Sequence, residues 1–130
     1  MLLRDLYLAE LDALYRFSRS VSLDFFLNYA KNPEQAHEMN DAFKKIRVET
    51  KGVLPPSGGG VFFDEDFPDG SLGLDVGLTR DESVALAVFS RKIDLESLTD
   101  LFKNKTLAKH AMRSMWAIRD SLHWEGTNIR

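Results

Sequence analysis

RDESVALAVF, residues 80–89, decides the fold class. Arg80, Asp81, Glu82 and Ser83 read as a polar turn, and Val84–Phe89 reads as a strand apolar on both faces, as in the middle of a sheet. The stretch before it favours a strand too. Leu72, Leu74, Val76 and Leu78 alternate with Gly73, Asp75 and Gly77, the two-residue period of a strand with one buried face. With Val61, Phe62 and Phe63 as a first strand and Phe67-Pro68-Asp69-Gly70 as the tight turn after it, the sequence predicts a three-stranded antiparallel meander.

The residues ahead of the meander read as helix. At roughly 100° per residue, Leu3, Leu6, Tyr7, Leu11, Leu14 and Phe17 fall on one broad arc, opposite a narrow stripe of Asp5, Asp12, Arg16 and Arg19. A helix so widely apolar lies at the centre of its domain, or uses the extra face, Leu8 and Tyr15, to meet a second copy. Burial alone accounts for the pattern, so the central placement leads. Residues 22–29 predict a short second helix. Asn32 as cap, Pro33 at the first helical position and Gln35 completing a capping box then start a third, which runs to about Lys51 with Gly52 at its end. Residues 53–60, with two prolines and three glycines, make an irregular connection too short to separate two domains.

After the meander, Asp94 or Ser97 starts a helix through Leu95, Leu98, Leu101 and Phe102, and Thr106 caps a longer one to about Trp124. On the longer helix Leu107, Ala111, Met115, Ile118 and Leu122 form a stripe for the core. Beside it run Met112, Trp116, Arg119 and His123, a mixture of polarizable sulfur, amphipathic ring and planar cation that is enriched at protein interfaces. The bland alternative buries Trp116 and Met112 beneath the sheet and lets Arg119 reach past them to water.

The expectation is an α+β single domain over 1–130: a helical half (1–52), the connection (53–60), and the sheet with one or two closing helices packed on it (61–124). In residues 61–124 the order strand, strand, strand, long helix, with the chain's size and its pI near 5.6, loosely resembles the second half of the small secretion chaperones of the type III kind. That resemblance implies partner binding. The helical first 52 residues depart from the family's pattern.

Composition and motifs narrow the chemistry. With 44% hydrophobic and 28% charged residues the chain has the makings of a core, and with no cysteine it has neither disulfides nor thiolate chemistry. Arg4, Asp5, Glu10 and Asp12 interrupt any apolar run near the amino terminus, so neither leader nor membrane span is expected there and a cytoplasmic protein is the default. Seventeen basic against twenty acidic residues give a net charge of −3, which does not favour nucleic acid. The charge is uneven, however: Asp64–Glu82 is acidic, while Lys103, Lys105, Lys109, Arg113 and Arg119 carry the last helix to the basic side.

SGGGVFFDEDFPDG, residues 57–70, is not a phosphate loop, because Val61 follows the last glycine where a lysine and a hydroxyl are needed. Nor does any start restore calcium-loop spacing, which leaves Asp64, Asp66 and Asp69 as weak candidates for an irregular cation site. His37, His110 and His123 lack the spacing of a helical zinc pair, and no serine sits in a glycine-flanked elbow. No cofactor is expected. The leading expectation is a non-catalytic adaptor, inhibitor or chaperone-like module that binds another protein through the last helix and the adjoining sheet edge; Leu8 and Tyr15 are the face a homodimer would use, behind the central placement of their helix. Two alternatives stand behind it: a nucleic-acid-binding regulator using the basic helix 106–124, and a small enzyme using the 64–69 carboxylates.

Overall fold

In a computed structural model the chain is described over residues 1–53 and 72–124, with the side chains of Asp5, Leu72, His123 and Trp124 outside that description. The expected strand at 61–63, the turn at 67–70, the cation candidates Asp64, Asp66 and Asp69, and the connection beyond Val53 all lie outside it as well. The described residues form β1 (Leu2–Leu6), α1 (Leu8–Ser20), α2 (Leu23–Leu27), α3 (Pro33–Val53), β2 (Leu72–Asp75), α4 (Arg80–Lys92), α5 (Leu95–Phe102) and α6 (Lys105–Trp124).

The three-stranded meander is therefore wrong, and the α+β class with it: among the described residues the protein is mainly helical, with one two-stranded antiparallel sheet. Residues 80–92 are helix, not turn and strand. Thr79 caps α4, its Oγ1 accepting from the Glu82 amide at 3.1 Å, while Glu82 Oε1 accepts from the Thr79 amide at 2.9 Å. The buried positions Glu82, Ala85, Leu86, Phe89, Ser90 and Ile93 then recur at helical spacing. Two of them are polar, which kept the period out of the hydrophobic pattern. The likeness to secretion chaperones rested on the strand order and goes with it.

The partner of β2 is the amino-terminal strand. Leu3 pairs with Leu74 and Leu2 with Asp75, but Leu6 pairs with Leu72, so β1 carries one extra residue between Leu3 and Leu6. This bulge turns both Leu3 and Leu6 inward, although a regular strand would send residues three apart to opposite faces. Met1 and Val76 extend the ladder by exchanging hydrogen bonds of 2.7 and 2.8 Å. A two-stranded ribbon is marginal alone, and here it is held by Leu3, Leu6, Leu74 and Val76 in the core.

Among the described residues the element order repeats: one strand and three helices, then one strand and three helices. The repetition extends to residues at a constant offset of 72, as from Asn32 to Asn104. Glu10 and Glu82 both sit buried in first turns; Ala13 and Ala85, Leu14 and Leu86, Phe17 and Phe89, and Ser18 and Ser90 are buried equivalents. The hydroxyls of Ser18 and Ser90 each bond the carbonyl three residues back. Asn32 and Asn104 cap α3 and α6 with the same bond, from the amides of Gln35 (2.8 Å) and Leu107 (3.0 Å). Ala36 with Ala108, Phe43 with Met115 and Ile46 with Ile118 fill the equivalent core rows.

Packing obeys the same exchange. α1 lies on α3 and α6, α4 on α6 and α3, α2 on α3, α5 on α6, β1 beside α6 and β2 beside α3, so swapping the halves maps each contact onto another. The two long helices of each half thus close a ring, α1–α3–α4–α6, around a shared core. Phe17 and Phe89 meet across the halves with ring centroids 5.7 Å apart, and Phe43 reaches both at 5.0 and 5.4 Å. Phe25, Phe26 and Tyr29 of the first half wrap Phe89. The closing helices α5 and α6 accordingly pack mainly on helices, α6 also lying beside β1, and not on an open sheet.

Candidate protein-binding face

α6 begins at Lys105, capped by Asn104, two residues earlier than a cap at Thr106 would place it. Its core row is the expected one: Ala111, Met115, Ile118 and Leu122 are buried, with Leu107 packed at the margin. Ala108 and Ser114 widen that row, the Ser114 hydroxyl being satisfied by the Ala111 carbonyl at 2.6 Å.

The neighbouring row faces outward. Trp116 is 47% exposed, Arg119 is exposed, and Met112 is half-buried against the core, so Trp116 does not lie beneath the sheet. The side chain of His123, the row's last member, is outside the described set. Lys105 and Lys109, both exposed, extend the row toward the start of the helix at spacings of four, three, four and three residues, which keeps side chains in line on an α-helix. Starting the helix at Lys105 brings that residue onto the face, where Lys109 already lies.

Two cations of α6, Arg113 beside the row and Arg119 on it, have acidic neighbours. Glu10 Oε2 lies 3.6 Å from the Arg113 guanidinium, and Asp120 lies 3.8 Å from Arg119. Lys105 and Lys109 hold no ion pair among the described residues. The sheet edge does not adjoin the row. Ser121, whose hydroxyl donates to the Leu2 carbonyl on the outer side of β1, lies about 140° around α6 from Trp116.

The first half supplies a control for these positions. Asn40, Lys44 and Arg47 of α3 are the equivalents of Met112, Trp116 and Arg119, and Lys44 is exposed as Trp116 is. The equivalent helix, with topologically equivalent neighbours, is built with lysine where α6 has tryptophan. The arrangement of elements by itself therefore does not call for the ring.

The other candidates are placed as follows. Leu8 is 4% exposed, covered by the chain's own residues, and Tyr15 is half-buried under the Arg19 guanidinium, 5.5 Å from its ring; α1 packs on α3 and α6 as one of the four helices of the ring. His37 is exposed on α3 and His110 half-buried on α6, and no group of three potential metal ligands gathers among the described residues. Two carboxyls are perturbed at the α3–α4 contact. Burial tends to raise Glu82, but hydrogen bonds from Lys45 (2.6 Å) and from the Thr79 amide hold it below the usual carboxylate value. Glu38 is raised, first by burial and then by Asp81 and Glu34. Both belong to helix capping and helix contact; neither faces the α6 row.

Comparison with family models gives no match, and neither the curated proteins nor the solved structures give a significant one. Among the described residues no helix is long and apolar enough to cross a membrane.

Proposed function

We propose that this chain is a non-catalytic protein-binding module whose recognition face is the outer row of α6, Met112, Trp116 and Arg119, with His123 next in line. One observation carries the reading: Trp116 stays 47% exposed at a position that the equivalent helix fills with lysine. An exposed indole beside a thioether and a guanidinium has the composition of an interface anchor. It supplies large apolar area with little rotamer entropy to lose.

The test is a pull-down of the intact chain from native lysate, wild type beside Trp116→Lys, at low and high salt. A protein retained by the wild type at high salt and lost in the variant supports the reading. Retention unaffected by the substitution removes the row from function. Nucleic acid is the second reading, favoured by the alignment of Lys105, Lys109 and Arg119 on one exposed arc. It predicts retained nucleic acid that is released steeply as salt rises, because phosphate contacts act through counterion release.

A further inference from the structure

Resting on the protein-binding reading, we infer that the partner of the α6 row is an acidic amphipathic helix of about four turns. From Lys105 to Arg119 the row is about 21 Å long at 1.5 Å per residue. Its spacing of four and three residues is that of a helix-pairing seam, in which one straight row lies along another. The row is ordered by chemistry: two lysines at one end, Met112 and Trp116 in the middle, Arg119 at the other end.

A complementary helix carries carboxylates opposite Lys105 and Lys109, apolar side chains opposite Met112 and Trp116, and a carboxylate near Arg119. The acidic end belongs opposite the lysines, where no described acid already answers the charge, whereas Asp120 shares Arg119. Charge complementarity of this kind sets orientation and partner choice, while the central anchor supplies affinity. Nucleic acid fits less well: Asp120 lies at the face, and Met112 and Trp116 interrupt the cations where phosphates would have to continue. The equivalent α3 row, Pro33, His37, Asn40, Lys44 and Arg47, has no apolar centre, so the chain binds one such helix and not two.

The experiment is selection of a displayed random peptide library, of about four helical turns in length, on the full chain with counter-selection on Trp116→Lys. The best peptide is then titrated by fluorescence polarisation against wild type, Trp116→Lys and Lys105→Glu/Lys109→Glu, with thermal unfolding of each variant as a fold control. The expected peptides are acidic with apolar residues at helical spacing, and they bind one per chain. Each variant weakens them by at least about tenfold, and exchanging their Glu for Lys restores binding to the double charge reversal. Trp116-dependent peptides that are neutral or basic would overturn the acidic partner and leave the protein-binding reading standing. No Trp116-dependent enrichment would overturn both, as would displacement of the peptide by a single-stranded oligonucleotide with a steep salt dependence.

Discussion

Glu82 shows how much one side chain does at the junction of the two halves. Its carboxylate closes the first turn of α4 and takes the Lys45 ammonium of α3, with only 9% of the side chain exposed. Lys45 is 44% exposed, so the ion pair itself contributes little and the cap is the larger part. Glu82→Ala is expected to cost about 1–2 kcal/mol at neutral pH, measured by urea unfolding. Because the folded carboxyl titrates below the ordinary value of 4.5, this stabilisation is complete above that pH and is lost as pH falls through the lower folded value. Wild type and variant therefore converge in acid. Glu38 has the opposite sign: its raised value means that its charge opposes folding at neutral pH, and Glu38→Gln should raise the melting temperature there but not in acid. At the core, Phe89→Ala should cost about 3–5 kcal/mol. Combined with Phe17→Ala it should cost measurably less than the sum, since the rings touch.

Capping decides the elements, and the two equivalent asparagines give it a paired test. Asn32→Ala and Asn104→Ala should each lose about 1 kcal/mol in urea unfolding, and by similar amounts. The start of α3 was legible because Asn32, Pro33 and Gln35 act locally. Thr79 and Glu82 are the same kind of signal, but the alternation of residues 72–78 ahead of them and the apolar Val84, Ala87 and Val88 behind them disguised a helix as a strand. At β1 the disguise was reversed: the bulge spaces the inward Leu3 and Leu6 by three, which imitates a helical turn. The outer row of α6 was half legible. Met112, Trp116 and Arg119 follow from the helical period alone, whereas Lys105 was lost to a cap placed at Thr106.

Over the whole molecule, the two halves share cores and caps and differ on their surfaces. The repeat was hidden because shared residues such as Phe17 and Phe89, or Asn32 and Asn104, are spread over buried and capping positions among surface residues that differ. Once the halves are matched, the surface of α3 becomes the reference for that of α6, and the tryptophan stands out because its equivalent in α3 is Lys44. The most direct measurement is therefore on Trp116→Lys, which gives α6 the residue of its equivalent: urea unfolding beside titration of the selected acidic peptide. The account predicts an unfolding free energy within about 0.5 kcal/mol of wild type and binding weakened by at least about tenfold. A variant that still binds, or one that loses several kcal/mol of stability, would show that the ring serves the fold and not a partner.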